Sequence, residues 1–597
     1  MQHVFSRFSR LDPILFFFLA LVMTCSGAAG EGEDSSWMTF SSRSEPLYTT
    51  YSGQASLPVY AGEPLPFETD LRLAVGDTGS VSVEAPEDGR YEIRVNYRNT
   101  SASTLPTEMT VTVDDALPFY ELRRVKLRSL WVDDGVFPLD RYGNELATTP
   151  HSADVWQETG LSDSTGRTDV PFLFELKAGT HTLTFSVQDG ACELNAVILS
   201  APSLLPAYEG QTPEGTGQIL IEGEQIASRN KSSIRGAGEF DSILTPYATD
   251  VRRINFLDGA SFDTALDEVT WSFDCPNEGW YHLLLHYRQD VKTDFPVFVD
   301  LLIDGALPSD AATRVPVPYS AAFTDYTLTT PDGKQDQAFY LTQGTHTLTL
   351  RINAANLTPI YEMIDTLLSE INGLSLEVVR LSGGVTDQYR DYDLLTYIPN
   401  LVELLTSWAD QCEEMVTYAK GFSASETSGA FSSLTLCADQ LRRLSLKPED
   451  LPRRLSELST GSNSAARMLA QQLQDMAAND LSIDQLIFYQ DASTLPDRAD
   501  MLKRLGDSVS RFATSFASQD YAAGTGQKGH LQVWVGRSRQ YVELIQNLVD
   551  AEFTPESGIE VDLSLMPDAN KLVLANAAGT SPDAVLGLQY VVPSYLN

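Results

Sequence analysis

From about Pro46 to Arg380, apolar and polar residues alternate in short runs separated by Gly, Pro and Asp turns. In "AGTHTLTF" (178–185) a glycine turn leads into Thr182 and Thr184 set against Leu183 and Phe185, the period of a half-buried antiparallel strand. In "YHLLLHYR" (281–288) side chains alternate faces and aromatic and aliphatic residues dominate, as in a β-strand. After about Thr358 the period lengthens. Leu394, Ile398, Leu401, Leu405, Trp408, Cys412, Met415 and Ala419 are spaced alternately four and three apart, an apolar seam along a long helix packed against neighbours. "ARMLAQQLQDM" (466–476), "SIDQLIFYQ" (482–490, with Ser482 as N-cap) and "RADMLKRLGDSVSRFATSF" (498–516) read as further helices. Beyond the turn "AAGTGQKG" (522–529) the pattern changes again. Strand "LQVWV" (531–535) is followed by an amphipathic helix over 539–553, with Tyr541, Leu544, Ile545 and Leu548 inward. Strand "IEVDLSL" (559–565), helix "ANKLVLANAAG" (569–579) and strand "DAVLGL" (583–588) complete the series. This βαβαβ order requires a parallel sheet.

The β-rich part repeats itself. "EDGRYEIRVNYR" (87–98) answers to "NEGWYHLLLHYR" (277–288), and "VDDALP" (113–118) to "IDGALP" (303–308), both at an offset of 190 residues. "AGTHTLTF" answers to "QGTHTLTL" (343–350) at a shorter offset, because the first copy has a longer middle. Three matched blocks in one order indicate a duplicated domain. The expected architecture is therefore multidomain. It comprises a segment 1–29, two jelly-roll-like β-sandwich domains (45–205 and 217–380), an α-helical bundle (381–525) and a partial α/β lobe (530–597).

Composition narrows the partners. The 597 residues carry 81 acidic against 41 basic side chains, formally −40, which disfavours nucleic acid because phosphate contacts need Lys and Arg. Residues 1–29 read as an export signal: Arg7 and Arg10, the apolar "PILFFFLALVM" (13–23), then "CSGAAG". Cys25 follows an apolar run and is a candidate lipid anchor, although Thr24 stands where a small residue is usual. The other four cysteines lack CxxC spacing; a Cys412–Cys437 bridge and buried free thiols both remain open readings. His282 and His286, four apart on a strand, are separated by roughly 13 Å and cannot share a metal. His181 and His346 hold the same repeat position, which points to a packing role. Glu222 and Glu224 alternate onto one strand face, where they read either as ligands of a hard cation or as solvated carboxylates. The sequence contains no G-x-S-x-G, HExxH, P-loop or CxxC, so no enzyme is expected.

Two resemblances follow from these residues. "EGWYHLLLHYR", "VDLLIDGALP" and "QGTHTLTLRI", preceded by "ILIEGEQ" (219–225), resemble the jelly-roll carbohydrate-binding modules of extracellular glycan-active proteins. In some of those modules acidic residues of the first strand hold a structural calcium, which implies a calcium role for Glu222 and Glu224. Sugar binding would further need exposed aromatic platforms, for which Trp131, Trp156, Trp271 and Trp280 are the candidates. Trp534, "AEFTPESGIEVDLSL" and "LVLANAAGTSPDAVLG" resemble the N-terminal lobe of extracellular solute-binding proteins of ABC importers, the large sugar-binding group. That resemblance implies an extracellular or cell-surface receptor that captures a solute, chiefly an oligosaccharide, and delivers it to transporter permease subunits. Ligands of open α/β sheets sit beyond the C-terminal strand ends. The expected contacts are therefore Trp534, Arg537, Ser538 and Gln589. Less than one lobe precedes Asn597, so a truncated or split product is expected. The competing reading is a cell-surface glycan-binding or scaffold protein acting through its two β-sandwiches.

Overall fold

The computed structural model describes residues 45–139, 143–384, 387, 389–423, 429–496, 530–566, 572, 575–576 and 581–587. The segment expected to be an export signal, Cys25, the helix expected over 498–516, most of that over 569–579, and Gln589 lie outside the described residues. The chain divides into two compact units, one of 1–135, 149–236 and 256–496, the other of 136–148, 237–255 and 497–597.

In the first unit a short helix, α1 (Tyr48–Gln54), precedes eleven strands: β1 (Leu65–Ala74), β2 (Thr78–Ala85), β3 (Gly89–Asn99), β4 (Thr107–Val113), β5 (Val125–Leu127), β6 (Trp131–Val132), β7 (His151–Ser152), β8 (Gln157–Gly160), β9 (Leu173–Leu176), β10 (Gly179–Asp189) and β11 (Ala191–Ser200). All but β6 and β7 form two facing antiparallel sheets, β1-β11-β3-β8 with β9 also on β3, and β2-β10-β4-β5. The inward positions of these strands make one core containing Tyr91, Ile93, Val95, Val111, Leu183, Phe185 and Val197.

The second repeat contains β12 (Gln218–Glu222), β13 (Ser228–Arg229), β14 (Gly236–Ala237), β15 (Phe256–Leu257), β16 (Glu268–Cys275), β17 (Gly279–Gln289), β18 (Val297–Ile303), β19 (Val315–Val317), β20 (Ser320–Thr327), β21 (Ala338–Leu341) and β22 (Gly344–Asn353). It is completed from far along the chain by β23 (Ser482–Tyr489). One sheet runs β15-β23-β17-β20, with β12 on β23 and β21 on β17; the other runs β19-β18-β22-β16-β13-β6-β7. The longer middle of the first repeat thus supplies β6 and β7 to the sheet of the second. The join is held by the buried ion pair of Arg229 and Asp133.

β23 corrects the helix expected over 482–490. The segment is a central strand, buried at every position, bonded antiparallel to β12 on one side and β17 on the other. A short apolar run carries too little periodicity to separate a buried strand from a helix, and Ser482 imitated an N-cap. In the first repeat β10 passes to β11 through a tight turn, with Gly190 at φ +81°. In the second repeat the helical segment is inserted at the corresponding point, between β22 and β23.

That segment holds α2 (Thr358–Ser382), α3 (Leu394–Tyr397), α4 (Leu401–Lys420), α5 (Ser432–Ser445) and α6 (Ala465–Ala477). Helix therefore begins well before the boundary drawn at 380, and strand resumes well before 525. The seam read from the sequence is buried along its whole length, from Leu394 to Ala419. It packs with Ile364, Leu367 and Ile371 of α2, Leu434 and Leu441 of α5 and Leu469 of α6. The Ser464 side chain caps α6 by accepting from the Arg467 amide at 3.2 Å. Cys192, Cys275, Cys412 and Cys437 are buried free thiols. Burial pushes the Cys192 thiol up to about 12, far from a reactive thiolate.

In the second unit β24 (Leu531–Val535), α7 (Arg539–Leu548), α8 (Thr554–Ser557), β25 (Val561–Leu565) and β26 (Ala584–Leu586) build a parallel sheet of order β25-β24-β26. Leu531 to Val535 pair with Val561 to Leu565, and Val533 to Val535 with Ala584 to Leu586. The inward stripe of α7 differs from expectation. Val542 is buried, and Ile545 and Val549 pack on the strand core, whereas Tyr541, Leu544 and Leu548 are at least half exposed. Two apolar stripes run side by side on this helix, and the branched one faces the sheet. Gln546 fixes that rotation. Its amide donates to the Val561 carbonyl at 3.0 Å, and its oxygen accepts from the Leu563 amide at 3.0 Å.

Candidate functional site

Because β24, β25 and β26 are parallel, their C-terminal ends emerge together. The chain leaves β24 through Gly536, Arg537 and Ser538, between Met566 after β25 and Gly587 after β26. The Gly536 amide donates to the Leu586 carbonyl at 2.8 Å, and the Met566 amide to the Val535 carbonyl at 3.0 Å. A Cβ on Gly536 would stand 3.1 Å from the Gly587 oxygen, and Gly587 has φ +77°. Only small residues let the two strand ends approach this closely. Arg537 turns back over them, one guanidinium nitrogen donating to the carbonyls of Gly536 and Gly587 at 3.2 and 3.3 Å. Ser538 is the N-cap residue of α7 in extended geometry, without a side-chain cap bond. The edge therefore combines Arg537, backbone groups and the N-terminus of α7, a setting suited to hydroxyl and carbonyl oxygens.

Trp534 lies one residue inside this edge, 4% exposed. Asp583 sits at the opposite end of the sheet. Its carboxylate accepts from the Gln532 amide at 2.8 Å and fixes the entry to β26.

Glu222 and Glu224 do not share a strand face. β12 ends at Glu222, whose carboxylate accepts from the Gln485 amide nitrogen at 3.1 Å, and Glu224 stands in the following turn, buried. Gly223 between them must be glycine, because a Cβ there would meet the Ile483 oxygen at 2.0 Å. Among the described residues, no group of three or more His, Cys, Asp or Glu is arranged to hold a metal ion. His282 and His286 have separate partners, the Gln337 carbonyl at 2.8 Å and the buried Asp484 carboxylate.

Of the four tryptophans weighed as platforms, Trp131 and Trp271 are buried and Trp280 is half-buried against Tyr340, while Trp156 is 42% exposed. Trp156 stands just before β8, and the Arg98 guanidinium lies 5.3 Å from its ring centroid. Arg98 is held by Glu193 at 2.6 Å and Asp154 at 3.2 Å. The bond to Glu193 holds the Arg98 pKa above its ordinary value and the Glu193 carboxyl below its own.

Residues 359–476 match the family described as the bacterial solute-binding protein, 4-helix bundle domain, which covers less than half of the chain. The match supports a solute-binding protein family and agrees with the helical segment in place and extent. No curated protein matches the chain. Among solved structures, a Paenibacillus sp. cycloisomaltooligosaccharide glucanotransferase complexed with cycloisomaltoheptaose is 21% identical over 25% of this chain and 17% of that chain, with a TM-score of 0.17. A Podospora anserina GH26-CBM35 β-(1,4)-mannanase is 11% identical over 26% of this chain and 30% of that one, with a TM-score of 0.14. A family 35 carbohydrate-binding module from an environmental isolate is 14% identical over 26% of this chain and 96% of that one, with a TM-score of 0.12. The chain thus spans less than a third of the first two relatives. Among the described residues no helix is long and apolar enough to cross a membrane.

Proposed function

We propose that this protein is a non-catalytic receptor at the cell surface that captures a solute, most simply an oligosaccharide, for the permease subunits of an ABC importer. The observation that carries this reading is the parallel β25-β24-β26 sheet, whose strand ends converge on Gly536, Arg537 and Gly587. It follows a helical segment that matches a domain of bacterial solute-binding proteins. In a doubly wound sheet of this order, β24 is the strand whose two neighbours follow it by opposite crossovers, and the crevice at its end is where small ligands lie. Arg537 supplies fixed donors there. Tandem sandwiches preceding the bundle would hold the receptor near a polymeric sugar source.

The test is transport. Cells lacking the gene should lose uptake of at least one labelled oligosaccharide, and re-expression should restore it. The Arg537→Ala chain should restore it only in part. Unchanged uptake across neutral and acidic oligosaccharides in the deletion strain would overturn the receptor reading. A second reading, glycan attachment through the sandwiches without transport, is favoured by one observation: the exposed Trp156 on the first sandwich.

A further inference from the structure

Four strands of the first sandwich present one row of side chains on the sheet face away from the core. Arg72 of β1 is paired with Glu193 of β11, and Glu193 with Arg98 of β3. β3 and β8 pair Tyr97 with Gln157, so the same register sets Arg98 opposite Trp156. The duplicated domain repeats the arrangement. β17 and β20 pair Tyr287 with Thr324, and Arg288 follows at an irregularity of that ladder, its side chain reaching Phe323. The Arg288 guanidinium lies 4.7 Å from the Phe323 ring centroid and 5.6 Å from that of Phe256. There the pairing is sealed, with Phe323 and Phe256 buried. In the first repeat the aromatic position is tryptophan, and it is open. A buried cation–aromatic pair needs only packing. An open one that uses the larger ring, with an N–H at its rim, offers a surface.

We infer that Trp156, backed by Arg98 and bordered by Asp154 and Glu193, is a carbohydrate-binding subsite of the first sandwich that takes a neutral pyranose. The axial C–H face of a sugar ring is apolar and matches the indole. Its equatorial hydroxyls both donate and accept, as the Asp154 carboxylate and the Arg98 N–H groups require. The ligand is neutral because the cations are already engaged: Arg72 approaches Asp70 and Glu193 at 3.6 Å each, and Arg98 bonds Glu193 and Asp154. An acidic sugar or a phosphate would have to displace a carboxylate to reach either guanidinium. Because the aromatic and the arginine are held before binding, little rotamer entropy is lost on capture. This subsite lies in a different domain from the strand-end edge, so it stands or falls separately from the transport reading.

The test uses the full chain in native affinity gels containing dextran, arabinoxylan or glucomannan, with polygalacturonate as the acidic comparison. Wild type should be retarded by at least one neutral polymer and not by polygalacturonate. Trp156→Ala should weaken that binding at least tenfold, and Asp154→Asn severalfold, with thermal unfolding unchanged because both side chains are exposed. Retardation by none of the neutral polymers, equal retardation of wild type and Trp156→Ala, or retention by polygalacturonate alone would each overturn the inference.

Discussion

His346 Nδ1 lies 2.7 Å from Asp304 Oδ2, and the other ring nitrogen faces the Thr342 carbonyl at 2.9 Å. The first sandwich repeats the arrangement: His181 meets Asp114 at 2.6 Å and the Lys177 carbonyl at 2.8 Å. Each Asp also accepts from the amide after its histidine, Thr347 or Thr182. Both Asp residues have φ near +50° in the turn after their strand. Acceptors at both nitrogens favour the doubly protonated ring over either neutral tautomer. The Asp304 hydrogen bond raises the His346 pKa against a smaller opposing effect of burial. For His181, burial lowers the pKa, but the bonds to Lys177 and Asp114 outweigh it and the net direction is upward.

The sign of the pH dependence follows. A raised histidine pKa contributes stability that is complete below the unfolded value, about 6.5, and is lost as pH rises through the folded value. The Asp304 carboxyl is pulled below its ordinary value: burial opposes this, and the bonds from Thr347 and His346 prevail. Its share is present above about 3.9 and is lost as pH falls. The midpoint of urea unfolding of the sandwiches should therefore fall as pH is raised from 6 to 8. His346→Gln should flatten that fall, and Asp304→Asn should move the His346 NMR titration to lower pH. A His346 shift that is unchanged in Asp304→Asn would refute the pairing.

Lys292 should act in the opposite direction. Its ammonium is buried at the join of the second sandwich and the bundle, donating to the Met476 carbonyl at 2.9 Å and to Asn479 Oδ1. Burial lowers its pKa to about 7, with Asp480 opposing. The unfolded chain then binds more protons than the folded one between about 7 and 10.4, so this group adds stability as pH rises through that range. Lys292→Met should remove the rise, measured as the difference in urea midpoints between pH 7 and 9.5.

The second sandwich needs β23. A fragment of residues 45–380 lacks the strand between β12 and β17 and should show no cooperative transition for that domain, whereas residues 45–496 should. Phe488 is buried in β23, 5.1 Å by ring centroids from Phe273. Phe488→Ala should cost about 3–5 kcal/mol. The loss should appear in hydrogen exchange of β17 and β22 before that of α2. Equal protection loss in α2 would show that sandwich and bundle unfold as one.

At the strand-end edge, Gly587→Ala should destabilise the lobe by about 1–2 kcal/mol, the cost of a side chain in the left-handed region. A Cβ there would also press on the Gly536 oxygen at 3.3 Å. Faster amide exchange at Gly536, whose N–H is bonded to Leu586, is the readout.

Much of this architecture is legible in the residues. The duplication is written in three matched blocks, and they became β3 with β17, the Asp114 and Asp304 turns, and β10 with β22. The long seam from Leu394 to Ala419 was readable because twenty-odd residues of constant period average out exceptions. Parallel strands followed from connections too long for hairpins. What escaped is what local pattern does not encode. Nothing within 482–489 says that its partners are β12 and β17, hundreds of residues upstream. The two stripes of α7 are equally apolar, so only the Gln546 bonds to β25 reveal which faces the sheet. His181 and His346 read as packing residues from their shared repeat position, because the carboxylates they pair with lie forty to seventy residues away in the chain. Trp156 carries no motif; its exposure emerges only from the sheet around it.

The insertion of the helical segment between β22 and β23 bears on the order of folding events during synthesis. A chain emerging amino-end first delivers eleven strands of the second sandwich, β12 to β22, and must then wait for roughly 130 further residues before the one that closes the sheet arrives. At about 5–20 residues per second of synthesis, that interval is of the order of ten seconds. During it the first sandwich can condense, while its neighbour stays open along β12 and β17, backbone groups unpaired and vulnerable to mispairing. The folded yield of this protein should accordingly depend on whatever shields nascent β-edges, and should be most sensitive to its loss when translation slows within residues 358–477.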